Sequence, residues 1–310
     1  MLEVPADMHA WRIDKTLAVQ VSEFSRSYLQ QLVSDGAVTL RGMVCRKPST
    51  RVQAGDKIRV ELRPTQQAMA FVPQPMDLDV AYEDDDLIVV RKPAGLVVHP
   101  AAGNWSGTLL NGLLAHHPEA VSLPRAGIVH RLDKDTSGLM MVGKSRRAVD
   151  ALVKAIAARE VHREYVALAH GAWNHALVLD VDRAIGRDPV NRLRMAVLRE
   201  DHAGAKSART TVELIESNDK SSLVRCKLHT GRTHQIRVHM ACLGHPLVGD
   251  ALYGGRLAWG LQRQALHAFR LRFAHPVTGV PLSFHCPPPT DLICAVQQAG
   301  LHYNFSSPEL

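Results

Sequence analysis

Residues 130–143 read HRLDKDTSGLMMVG, a crowd of charges in front of a small-residue turn and an apolar run. Charged side chains cost several kcal/mol to bury without partners. The stretch is therefore either a solvated turn or a site that holds a charge for use. Asp133 and Asp135 stand two apart, so in an extended segment both point the same way. A glycosidase-like pair needs its carboxyls about 5 Å or more apart across a bound sugar, which neighbours on one turn do not provide. The simpler division gives Asp133 the chemistry and leaves Asp135 to hydrogen-bond the Thr136-Ser137-Gly138 turn. A single working carboxylate suits nucleophilic catalysis or electrostatic help at an electron-poor carbon. It must stay ionised, which calls for an arginine partner. Arg232, just before an expected helix, is the candidate.

Three more stretches carry more chemistry than packing needs. RKPAGLVVHPAAGNWSGTLLN, 91–111, opens with a tight basic turn at Lys92-Pro93 and Gly95. REYVALAHG, 163–171, places Tyr165 at the start of a strand. HTGRTHQIRVHM, 229–240, packs Arg232, Arg237 and three histidines into one short run. His234 and His239 are five apart without the carboxylate of a metal-binding helix, so no metal is expected. HRLD superficially matches a kinase catalytic loop, but no Gly-rich loop or DFG accompanies it. GxGxxG, P-loop and HExxH patterns are missing too, so no nucleotide cofactor is expected.

The elements that must position these residues are readable in outline. Ile13, Leu17 and Val21 recur at helical spacing. Ser25 is placed to cap a second helix carrying Tyr28, Leu29, Leu32 and Val33, with Gly36 as its stop. VTLRG predicts a strand and turn, and GDKIRVEL a strand with Ile58, Val60 and Leu62 inward. PTQQAMAFVPQP, 64–75, has three prolines and no charge, which marks a spacer. Beyond it, LIVV at 87–90, GLMMVG at 138–143, YVALA at 165–169 and LVRCKL at 223–228 predict strands. One helix is expected from the Ser145 cap to about 159 with Val149, Leu152, Val153 and Ile156 on one face. Another is expected over 233–243 with Ile236, Met240 and Leu243 inward and Gly244 closing it.

These assignments predict an α+β protein. A small N-terminal α/β RNA-binding domain over 1–63 is joined by a linker over 64–80 to a catalytic domain over 81–310, built on a large mixed, mostly antiparallel sheet with flanking helices. No apolar run reaches the roughly 18 residues of a membrane span, and MLEVPADMHAW has no export-signal pattern. Five scattered cysteines without a CxxC fit reduced thiols in a cytoplasm. The formal net charge of +7 favours a polyanionic partner. Segment 1–63 holds ten Lys/Arg against seven Asp/Glu, and Arg12, Arg26, Arg46 and Lys47 cluster around its helices and turn, as RNA docking would require.

Taken in order, PRAGIVHRLDKDTSGL, KPAGLVVHPAAGN, REYVALAHG and TGRTHQIRVHMACLGHPLVGDALYG resemble the motifs of the RluA-type RNA pseudouridine synthases. With the N-terminal module, the resemblance covers most of residues 12–290. VVHPAAGN and DRAIGRDPVNRLRMAV bring it nearest to the RluD-type group, whose members isomerise uridines in large-subunit (23S) ribosomal RNA. The resemblance implies that Asp133 is the catalytic aspartate, that Tyr165 stacks on the uracil and takes a proton, and that Arg232 pairs with Asp133. It implies that Arg131 fills the gap left by an everted base, and that Lys92, His130 and Arg237 contact RNA beside it. One departure is VTLRG, where the family usually has Val-Asn-Gly in its RNA-binding domain. The expected partner is large-subunit ribosomal RNA, free or in an assembling subunit, bound by a cytoplasmic monomer that needs neither cofactor, metal nor membrane. Alternatives are a synthase acting at another ribosomal or transfer RNA site, a noncatalytic ribosome-assembly protein, and an N-glycosidase that releases uracil.

Overall fold

The computed structural model describes residues 1–63 and 70–305. The chain divides into two compact units, Met1–Ala70 and Phe71–Leu310. Of the spacer expected over 64–80, residues 64–69 lie outside the described residues.

In the first unit the order is β1 (Leu2–Glu3), α1 (Ile13–Gln20), α2 (Arg26–Ser34), β2 (Val38–Leu40), β3 (Met43–Val44) and β4 (Lys57–Val60), with sheet order β1-β4-β2-β3. The Ser25 hydroxyl accepts the Tyr28 amide and starts α2. Ile13, Leu17, Leu29, Val33, Val38 and Ile58 form the core between the helices and the sheet. Leu62 lies past the end of β4 and is 57% exposed, so the inward alternation stops one position earlier than expected.

The second unit contains β5 (Val80–Glu83), β6 (Leu87–Lys92), α3 (Leu109–His116), β7 (Ser137–Gly143), α4 (Arg146–Ala157), β8 (His162–His170), β9 (Val178–Asp182), β10 (Ile185–Arg187), β11 (Met195–Val197), β12 (Arg209–Ser217), β13 (Ser221–Leu228), α5 (Gln235–Cys242), β14 (Leu266–Ala274), β15 (Pro281–His285) and α6 (Thr290–Gln298). Among the described residues, the large sheet runs β5-β6-β7-β14-β8-β13-β12-β9, with β15 also on β14. Every pairing in it is antiparallel except β7 with β14. β10 and β11 form a separate hairpin.

β8 shows why its sequence is a continuous apolar run. Tyr165, Ala167 and Ala169 join one core with Leu110 and Leu113 of α3 and Ile236 and Met240 of α5. Val166 and Leu168 join another with Leu292 and Val296 of α6. A strand covered on both faces has no polar side to alternate with.

Ser145 caps α4 by accepting the Ala148 amide, and Val149 and Leu152 turn inward, but Val153 is 49% exposed. The α5 helix starts at Gln235, two residues later than predicted. α3 was not anticipated. It is apolar all round, with Leu109, Leu110, Leu113 and Leu114 all buried, so it gives no one-sided stripe to read. One glycine is indispensable to the site. Gly138 has φ +116°, and a Cβ there would stand 2.2 Å from the Ala268 carbonyl oxygen across the parallel pairing. The turn carrying Asp133 feeds directly into that close contact.

Candidate active site

Asp133 sits in the loop before β7, with its carbonyl accepting the Thr136 amide at 3.1 Å. The expected side-chain cap from Asp135 is replaced by that backbone bond and by Gln264, whose amide donates to Thr136 Oγ1 at 3.2 Å. The loop is anchored by Lys92. Its ammonium donates to the carbonyls of Pro93 (2.7 Å), Leu96 (2.9 Å) and Lys134 (2.9 Å). All three N–H bonds are used, and the side chain is 2% exposed. Burial pulls its pKa down to about 8 against the raising influence of Asp135 and Asp133. This corrects the expectation that Lys92 contacts RNA: it ties the Lys92-Pro93 turn to the Asp133 loop.

The partner of Asp133 is Arg237. Its Nη1 stands 3.1 Å from Asp133 Oδ2. Its Nε and Nη2 donate to Asp250 at 2.7 and 2.8 Å. Burial lowers the guanidinium's pKa, but Asp250 and Asp133 more than offset this and leave it above the ordinary value. Arg232 instead donates from Nε to the Ser207 carbonyl at 2.9 Å. Two expectations are thereby corrected: Arg232 is not the ion-pair partner, and Arg237 is too buried to serve as a surface RNA contact. The reason is local. His234 takes a left-handed conformation (φ 56°) as the N-cap residue of α5. Arg232 precedes that reversal and Arg237 lies in the first turns of the helix beyond it. Tyr253 completes the cluster, with the Arg237 guanidinium carbon 5.0 Å from its ring centroid. Its hydroxyl lies 2.8 Å from His234 Nδ1. His234 Nε2 then faces Asp133 Oδ1 at 3.8 Å.

Beside Asp133 opens a cleft of about 670 Å³, a size that suits a nucleotide. Its lining includes Arg125, Arg131, Arg159, Arg163, Arg232 and Tyr165, with Asp133 as its acidic member. Arg125 and Arg159 also have positive φ, at 53° and 64°, and such backbone strain gathers at functional sites. Tyr165 is buried within β8, past its start, and burial pushes its phenol up to about 12. At neutral pH it is a protonated phenol, suited to stacking and hydrogen-bond donation. Arg131 is exposed on the rim. His130 takes a structural role in place of the expected RNA contact: its Nε2 accepts the Met141 amide at 3.0 Å, and burial drives its pKa down to about 3, so the ring is neutral.

In the small unit, Arg12 and Arg26 pair with buried Asp14, each at 2.9 Å, and keep about half of their side-chain surface open. Arg46 and Lys47 are exposed. Asp250, Tyr253 and Arg163 escaped the sequence reading, although all three lie inside the quoted motif blocks.

A model of the RNA pseudouridylate synthase family matches residues 86–242, and a model of the S4 domain matches residues 11–58. The chain is 47% identical to ribosomal large subunit pseudouridine synthase D of Neisseria meningitidis serogroup A, over 99% of this chain and 85% of that protein. It is 43% identical to the protein of the same name from Escherichia coli K12, over 91% of this chain and 88% of that one. Among solved structures, human RNA Pseudouridylate Synthase Domain Containing 1 is similar with a TM-score of 0.55 at 29% identity, over 70% of this chain and 87% of that one.

Proposed function

Since the chain belongs to the RNA pseudouridylate synthase family, we propose that it converts particular uridines of large-subunit (23S) ribosomal RNA to pseudouridine, with Asp133 as the reacting carboxylate. The observation that carries this reading is the 3.1 Å contact of Asp133 with Arg237 at the wall of an arginine-lined cleft. The relatives named for large-subunit ribosomal RNA and the S4 module support the substrate class.

The reaction breaks the C–N glycosidic bond, turns the uracil and rejoins it through C5 to the same sugar carbon, which releases the C5 proton. Nothing is oxidised or hydrolysed overall. The uridine must leave its stack, at a cost of a few kcal/mol. In this reading Arg131 occupies the space it leaves and Tyr165 stacks on the uracil, which offsets part of that cost. Asp133 then acts at the sugar carbon, by elimination, or at uracil C6. Because Tyr165 enters as a phenol, it accepts the C5 proton only if its own proton moves on. Arg12, Arg26, Arg46 and Lys47 of the small unit dock the surrounding RNA in this reading. We place the work in the cytoplasm, by a monomer acting on free RNA or on an assembling subunit.

The test is to incubate the protein with ribosomal RNA transcripts and map carbodiimide-dependent reverse-transcription stops. Stops with the wild type that vanish with Asp133→Asn support the proposal. Tight binding without stops favours a noncatalytic assembly protein, and free uracil with abasic sugar favours an N-glycosidase.

A further inference from the structure

Arg163 is the most deeply buried of the cleft arginines that the reaction described above does not use. It lies on β8 two residues before Tyr165, so both side chains project from the same face, and both line the cleft with Asp133. It is 7% exposed. Its Nε–H meets no acceptor, and among the described residues its guanidinium makes no hydrogen bond or ion pair. The adjacent Glu164 projects from the other face and is taken by Arg272 and, at 3.7 Å, by Arg270. Gly231 keeps the approach open, since a Cβ there would stand 3.0 Å from Arg163 Nη1.

A guanidinium largely withdrawn from water and held without a counter-charge is costly. Uracil carbonyls could supply acceptors but no charge. An RNA phosphodiester supplies both, and its two non-bridging oxygens take an arginine fork bidentately. We infer that Arg163 is the receptor for one backbone phosphate adjoining the everted uridine. It is thus a positioning residue that fixes the sugar against Asp133. Its role differs from that of the rim arginines Arg125, Arg131 and Arg159, which are exposed and whose charges water already solvates. The inference rests on the cleft receiving an everted uridine.

The experiment uses the full chain and a synthetic RNA fragment spanning a uridine mapped by the carbodiimide assay. Neutral methylphosphonates replace, one at a time, the phosphates within two nucleotides of that uridine. With wild-type protein, one replacement should weaken binding about 10- to 100-fold, the worth of a charge-assisted contact. Arg163→Gln should lose as much on unmodified RNA and lose nothing further on that one methylphosphonate. The free variant should melt at or above the wild-type temperature, because it sheds an uncompensated buried charge. Losses that multiply at every phosphate, or a lowered Tm with unchanged RNA affinity, would overturn the proposal. Pseudouridine formation by the wild type on the unmodified fragment tests the family function separately, so the two failures are distinguishable.

Discussion

Asp133 and Asp250 share one guanidinium: Arg237 holds Asp250 through Nε and Nη2 at 2.7 and 2.8 Å and meets Asp133 through Nη1 at 3.1 Å. Two carboxylates facing one cation leave a net negative charge. The buried Asp250 fixes the guanidinium in two places, while Asp133 receives a single bond and keeps its other oxygen toward His234 and the cleft. Asp133 is therefore oriented without being fully neutralised.

Arg237→Gln should abolish pseudouridine formation and also destabilise the fold by about 3–5 kcal/mol, because Asp250 is left as a buried, unpaired carboxylate. Denaturant unfolding and single-turnover assays check both halves. Arg232→Ala should leave stability unchanged and weaken RNA binding, with the salt slope smaller by about one. A dead Arg232 variant with unaltered affinity would contradict this division of roles.

Lys92→Met should cost roughly 2–5 kcal/mol, since the carbonyls of Pro93, Leu96 and Lys134 lose a charged donor. Activity should fall further than RNA affinity, because the loop carrying Asp133 loses its tie. If affinity falls as far as kcat, Lys92 reaches the RNA after all.

Tyr165→Phe keeps a ring for stacking and removes the phenol. RNA affinity should stay within a few-fold while turnover drops about 10²-fold or more, the usual worth of a positioned proton-transfer group. Tyr165→Leu should lose affinity as well. Equal turnover by Phe and wild type would remove the phenol from proton transfer.

His267 links acid stability to the site's backing. Its Nδ1 lies 2.9 Å from Ser137 Oγ, one residue before Gly138, and its Nε2 3.0 Å from the Cys286 carbonyl. Burial holds its pKa down to about 4, against about 6.5 in an unfolded chain. Between those values the unfolded chain binds the extra proton, so this stabilising contribution is complete above pH 6.5 and is lost as pH falls toward 4. The span corresponds to roughly 3 kcal/mol. His267→Asn should be less stable at pH 7 but show a shallower decline in urea midpoint between pH 6.5 and 4. Parallel wild-type and variant curves would refute the linkage.

The residues alone carry much of this protein. The Ser25 and Ser145 caps, the α1 and α2 periodicities and the apolar runs of β6, β7, β8 and β13 are local signals, and local hydrogen bonding obeys them. That Asp133, Tyr165 and several arginines belong to neighbouring motifs is likewise readable, because charge and motif order are written along the chain; the structure puts them on one cleft. The identity of the arginine facing Asp133 was not. Arg232 and Arg237 occupy one motif, and a left-handed His234 between them sends one to the Ser207 carbonyl and the other to Asp133. Lys92 and Arg163 make the same point from opposite directions. One basic side chain is sealed by three carbonyls and the other is buried with none, and a one-dimensional reading sees two cations. Burial and partnership arise between segments far apart in the chain, so only their meeting in space separates a structural tie from a waiting receptor.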